Sequence, residues 1–282
     1  MRSDTVRVPG ATLYYEVRGK GPVLLLIPGG GGDANAADGM AEVLERHFTV
    51  VAFDARGYSR STLDGGTPEP QHVAVQSDDA FRLLTHLTDE PAYVYGGSHG
   101  AIVGLDLLAR HPDRIRALVA HEPPCFAVLP DAAEHRAMID DVYRLFRTDG
   151  LAAAAGRFLT AIGGAIKPGP ELSPMPEREL QRRARSAANA PIMMEHELRE
   201  FTSYIPDYEA LAPVADRLTL AVGQDTRGCL PYRPAVEIAE RLALNVTEFP
   251  GAHNGTLSHS QEVATELLQV LAPGTTHAEP YP

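Results

Sequence analysis

Short, wholly apolar runs alternate with amphipathic stretches along most of this chain. Val23-Leu24-Leu25-Leu26-Ile27 is fully apolar, as expected of a strand covered on both faces, and Phe48–Phe53, Ala92–Tyr95, Ile115–Ala120, Leu218–Val222 and Asn245–Phe249 also read as strands. The intervals between them read as helices: Ala36–His47, His72–Leu87, Ala101–Arg110, Pro234–Leu242 and Ser258–Leu271. In His72–Leu87 the residues Val73, Val75, Ala80, Leu83, Leu84 and Leu87 form one apolar side. Ahead of these, Thr5–Val8 and Leu13–Val17 read as two strands joined by Pro9-Gly10. Strand–helix alternation of this kind predicts an α/β protein with a mostly parallel sheet and helices on both faces.

The alternation stops from about Cys125 to about Pro213. That interval reads as helices only: Ala132–Arg147, Leu151–Ile162, Glu177–Asn189 and Ile192–Tyr204. Clusters at Lys167-Pro168-Gly169-Pro170 and Ser173-Pro174-Met175-Pro176 punctuate it. Met138, Phe146, Phe158, Met193, Met194, Phe201 and Tyr204 are candidates to line a pocket, although most of them are expected to be ordinary helix-packing residues. The predicted division is therefore a core of residues 1–124 and 213–282 with a helical segment, 125–212, inserted between two of its strands. The stretch from Pro273 carries no pattern and is expected to fray.

Composition narrows the function by exclusion. A formal charge of -12 and a pI near 5.3 disfavour nucleic acid and anionic membranes as partners. A hydrophobic share of 44% without a long apolar run or a leader-like N-terminus predicts a globular protein of the cytoplasm. Cys125 and Cys229 lack metal-ligand spacing and are expected to be free thiols. No metal or cofactor is expected, and a homodimer is left open.

The chemistry centres on Gly96-Gly97-Ser98-His99-Gly100, between a strand and a helix. A serine on so tight a turn is forced toward positive φ, and glycines on either side allow strand and helix to pass closely. The turn lifts the Ser98 hydroxyl clear of the backbone. It also leaves the His99 amide unpaired at a helix start, where partial positive charge gathers. Pro28-Gly29-Gly30-Gly31-Gly32, after an apolar strand, lets backbone approach a reacting group. It lacks the Gly-Lys-Ser/Thr ending of a phosphate loop, so the amide of Gly29 or Gly30 is expected to be the second oxyanion donor.

With these two segments and Asp54-Ala55-Arg56-Gly57-Tyr58-Ser59-Arg60-Ser61 in order, the chain resembles the α/β-hydrolase superfamily. The resemblance implies a mostly parallel eight-stranded sheet and makes the inserted helices a cap over the active site. It makes Asp54 and Arg56 mainly loop-bracing residues. It implies a triad in the chain order serine, acid, histidine, with His253 in Pro250-Gly251-Ala252-His253-Asn254-Gly255 as the base. Two acids compete. Asp225 follows the strand where the family usually carries its acid, but the family spacing falls on Thr226, and a one-residue offset turns a side chain to the opposite face. Glu122, at the end of the strand beside the nucleophile strand, is the other candidate. The expected sites are Ser98, His253 and either Asp225 or Glu122, with the amides of Gly30 and His99 as oxyanion hole. The expected activity is hydrolysis of a small-molecule acyl substrate, a hydrophobic carboxylic ester or lactone. A carbon–carbon hydrolase, a peptidase, a cofactor-free lyase or cyclase of natural-product chemistry, and a ligand receptor stay open.

Overall fold

A computed structural model of the chain describes residues 1–167 and 173–272. The expected frayed stretch from Pro273 and the Pro168-Gly169-Pro170 cluster lie outside the described residues. In chain order the elements before the insert are β1 (Arg2–Val8), β2 (Ala11–Gly19), β3 (Val23–Ile27), α1 (Asp38–Leu44), β4 (Thr49–Phe53), β5 (Thr62–Leu63), α2 (Val73–Leu87), β6 (Ala92–Gly97), α3 (His99–Arg110) and β7 (Ile115–His121). The insert carries α4 (Ala132–Asp149), α5 (Leu151–Ala161), α6 (Glu177–His196), α7 (Leu198–Thr202) and α8 (Tyr208–Leu211). The core then resumes with β8 (Leu218–Gly223), α9 (Tyr232–Arg241), β9 (Val246–Phe249), α10 (Gly255–Ser258) and α11 (Ser260–Leu271).

Eight strands form one continuous sheet in the order β1-β2-β4-β3-β6-β7-β8-β9, and the two-residue β5 pairs with β2 as a ninth. The pairings β1–β2, β2–β4 and β2–β5 are antiparallel. All pairings from β4 to β9 are parallel. The apolar runs divide by parity, as two covered faces require. Leu25, Ile27, Val94 and Leu118 pack on one side with Leu83, Leu84, Ile102 and Leu105 of α2 and α3. Leu24, Leu26, Tyr95 and Val119 pack on the other with Met40, Leu44, Val263 and Leu267 of α1 and α11.

The insert has its own apolar centre, built from Phe126, Ile139, Val142, Ala154, Met194 and Leu198 with Leu230 of the core. Polar contacts lay α6 against the sheet's loops. Arg178 pairs with Asp38 at 2.5 Å and with Glu16, and Arg185 pairs with Asp33 at 2.5 Å. The Asn189 amide donates to the Gly31 carbonyl at 3.1 Å and accepts from the Ser59 amide at 3.1 Å. The expected helix break near Pro191 is absent. Helix α6 runs through Pro191 to His196, and the chain turns at Glu197, where φ is -124° and ψ -47°. The missing proline N–H costs one intrahelical bond, and burial of Met194, Leu198 and Phe201 beyond it keeps the segment helical until the turn.

Asp54 and Arg56 brace loops, as expected of them. Buried Asp54 accepts from the amides of Ala34 and Arg60, both at 2.9 Å, and from the Arg60 guanidinium at 2.7 Å. Arg56 grips Asp79 with two bonds, at 2.7 and 2.6 Å. Both cysteines are unpaired. No described helix is long and apolar enough to cross a membrane.

Candidate active site

Ser98 stands between the last residue of β6 and the first of α3, with φ 54° and ψ -123°. Few side chains adopt that backbone conformation, and the surroundings enforce it. A Cβ at position 96 would meet the Gly100 carbonyl oxygen at 2.2 Å, and one at position 100 would meet the Ile27 carbonyl oxygen at 2.4 Å. Strand and helix therefore cross so closely that only glycine fits at either position. The Ser98 amide donates to the His121 carbonyl at 2.9 Å, which pins the turn to β7. His99 opens α3, so no residue four positions earlier lies in the helix to accept from its amide. The Pro28–Gly32 turn runs directly against this point. A Cβ on Gly29 would lie 3.5 Å from the Ser98 Cβ, and one on Gly30 would lie 2.4 Å from the His99 ring.

His253 comes from the loop after β9, and the insert helps to hold it. Its amide donates to the Ala165 carbonyl at 2.9 Å. Next to it, Asn254 exchanges two hydrogen bonds with the Lys167 backbone, at 2.9 and 2.7 Å. The His253 Nδ1 donates to Glu122 Oε2 at 2.7 Å. Glu122 directly follows β7 and has a positive φ of 46°. Its own amide donates to the Ala221 carbonyl at 2.9 Å. Its second carboxylate oxygen accepts from the Gly223 amide at 2.9 Å and from the Thr226 hydroxyl. Burial would raise this carboxyl, but the His253 hydrogen bond and charge outweigh it and hold Glu122 at about 2.

Of the two expected acids, the structure therefore brings Glu122 to the imidazole. Asp225 is not there: it lies exposed on the short turn after β8. Thr226, one residue on, is fully buried and points inward. The family's acid position thus holds a hydroxyl, and that hydroxyl braces the carboxylate arriving from β7. His259, the other histidine near His253, bonds to Ser258 at 3.0 Å and does not line the cavity.

Ser98, His99, Gly30 and His253 line one cavity of about 470 Å³. Its wall is mainly apolar and includes Phe158, Ile162, Met193 and Met194 from the insert. Of the other pocket candidates, Met138 and Phe146 pack inside the insert, and Phe201 and Tyr204 pack against the main core. His121 touches the cavity from below, and complete burial lowers its pKa to about 4, keeping the ring neutral near pH 7. Among the described residues, no group of three or more His, Cys, Asp and Glu side chains is placed to hold a metal ion.

One site residue has no counterpart in the sequence reading. The buried Glu197 carboxylate, at the turn between α6 and α7, pairs with the His99 Nδ1. The Tyr58 hydroxyl donates to its other oxygen at 2.6 Å, and the Gln76 amide lies at 3.4 Å. An acid flanked by Met193, Met194, Leu198 and Phe201 was the available signal, because a buried carboxylate requires partners.

A family model described as alpha/beta hydrolase fold matches residues 22–212. The chain is 34% identical over 283 residues to the Bacillus subtilis (strain 168) protein named Uncharacterized hydrolase YraK, with 98% of each chain covered. It is 33% identical over 144 residues to the Zearalenone hydrolase of Bionectria ochroleuca, covering 49% of this chain and 53% of that one. Among solved structures, a thermophilic esterase from Thermogutta terrifontis superposes with a TM-score of 0.73 at 20% identity, over 96% of this chain and 98% of that one.

Proposed function

The chain belongs to the alpha/beta hydrolase family, and on that premise we propose that it is a serine hydrolase that cleaves a hydrophobic carboxylic ester or lactone through an acyl-enzyme. The observation that carries the proposal is the 2.7 Å bond between His253 Nδ1 and Glu122, with His253 and the strained Ser98 opening on the same cavity.

A serine hydroxyl attacks an acyl carbon poorly until a base takes its proton. With Nδ1 donating to Glu122, the neutral His253 ring keeps its lone pair on Nε2, the nitrogen required for that task. Ser98 Oγ bonds to the acyl carbon, its proton passes to His253, and the carbonyl π electrons move onto oxygen. The amides of His99 and Gly30 hold that oxyanion, each contributing about 10²–10³ in rate. When the oxyanion collapses, the bond to the leaving oxygen breaks and His253 returns the proton to it. Water, deprotonated by the same imidazole, then frees the acid and restores Ser98. Glu122 stabilises the imidazolium that forms in both halves.

The largely apolar wall favours a hydrophobic acyl or alcohol group over a charged one. In this reading residues 125–212 act as the cap over a core of 1–124 and 213–282. Ser98→Ala, assayed with a series of 4-nitrophenyl esters of rising chain length, should lower kcat by at least about 10³. Hydrolysis within tenfold of the parent enzyme would overturn the assignment.

A further inference from the structure

We propose that the His99 side chain is a substrate-recognition group that accepts a hydrogen bond from a hydroxyl or N–H placed near the scissile carbonyl. This rests on the serine-hydrolase reading above and specifies its substrate class further. The cavity is bordered by two histidine–carboxylate pairs, and the acyl-transfer steps use only the pair formed by His253 and Glu122.

The tautomer of His99 follows from its partners. The Glu197 carboxylate receives the Tyr58 hydroxyl at 2.6 Å, the Gln76 amide at 3.4 Å and the His99 Nδ1. The tyrosine and the glutamine amide serve one oxygen as donors, which leaves the other to take a proton from Nδ1. In the neutral ring Nε2 is then an acceptor. The ring presents its Nδ1 corner to Gly30, with Cε1 and Cγ on either side, so Nε2 and Cδ2 form the opposite edge of a ring that lines the cavity. Phe201, with its ring centre 5.0 Å from that of His99, limits ring rotation. The assembly spans the β4–β5 loop with Tyr58, the first turn of α2 with Gln76, the start of α3 and the α6–α7 turn. It fixes one imidazole nitrogen beside the nucleophile at the cost of burying a carboxylate.

A fixed acceptor in an apolar wall discriminates by penalty. A substrate without the donor leaves Nε2 unpaired and partly desolvated when the cavity fills. Glu197 touches no substrate in this scheme; it is a positioning residue.

The test uses aryl esters of hydroxy acids, with the hydroxyl placed at C2, C3 or C4, each paired with its deoxy parent. The full-length enzyme should favour one hydroxy position by about tenfold or more in kcat/KM. Glu197→Gln and Tyr58→Phe should draw that ratio toward one, through a rise in KM for the hydroxy ester that exceeds any change for its deoxy parent. Two separate variants guard against loss of folding in either. A parental ratio near one at every position overturns the proposal without any variant, as does an unchanged ratio in both variants. Failure of the serine-hydrolase reading looks different, because no ester would then depend on Ser98 at all.

Discussion

Replacing Glu122 by glutamine separates the two candidate acids most sharply. The side chain is fully buried and serves three donors: His253 Nδ1, the Gly223 amide and the Thr226 hydroxyl. Glutamine keeps the shape but offers one acceptor and one donor group. If its oxygen faces Gly223 and Thr226, its NH₂ faces His253 Nδ1. The imidazole must then carry its proton on Nε2, and Ser98 meets an N–H where it needs a lone pair. If the amide turns over, the buried Gly223 N–H loses its acceptor, at about 1–3 kcal/mol. The first orientation keeps two bonds and should dominate, so the loss falls mainly on rate. A wrong tautomer in such a triad costs up to about 10⁴ in kcat, and a drop of about 10³ corresponds to about 4 kcal/mol of barrier. The assay is kcat and KM for 4-nitrophenyl butyrate near pH 8, with urea unfolding to confirm the fold. Asp225→Asn, made in parallel, should stay within about threefold, because that side chain is exposed and away from the imidazole. An active Glu122→Gln beside a crippled Asp225→Asn would refute the reasoning.

Acid stability follows from the same carboxylate. Its folded pKa, about 2, lies below the ordinary 4.5, so its contribution is complete above about pH 4.5 and is lost as the pH falls toward 2. The full amount is about 3 kcal/mol, and Glu122→Gln should flatten the pH dependence of urea midpoints in that window. Gly96→Ala should destabilise the fold by about 3 kcal/mol or more, since its Cβ would lie 2.2 Å from a backbone oxygen. Gly65→Ala, where a Cβ meets nothing within 4 Å, is the matching control, and equal melting temperatures for the two would contradict the packing argument.

The candidate nucleophile and base stand out in the sequence because each announces itself locally. Ser98 sits in a glycine pattern dictated by backbone clearance, and His253 sits in a glycine-bracketed loop after the last strand. The partner of His253 does not stand out, because Glu122 and Asp225 both follow strands and only tertiary geometry decides which reaches the ring. The spacing implied by the family resemblance fell on residue 226 rather than 225, and Thr226 is the one that turns inward. Glu197 was hidden for a different reason: its partners Tyr58, Gln76 and His99 are more than 90 residues away. The helix break was misplaced because Pro191 is a local signal that burial overrides. Two-residue β5 is too short to show any period.

Placement of the candidate acid directly after β7 also frees a part of the chain. Toward Glu122, the end of β8 and the turn after it supply two supports, an amide at 223 and a hydroxyl at 226. The outward residues of that turn, Asp225 and Arg227, are exposed and lie apart from the Glu122–His253 pair, and Arg227 pairs instead with Glu248. Position 226, by contrast, tolerates little beyond serine or threonine.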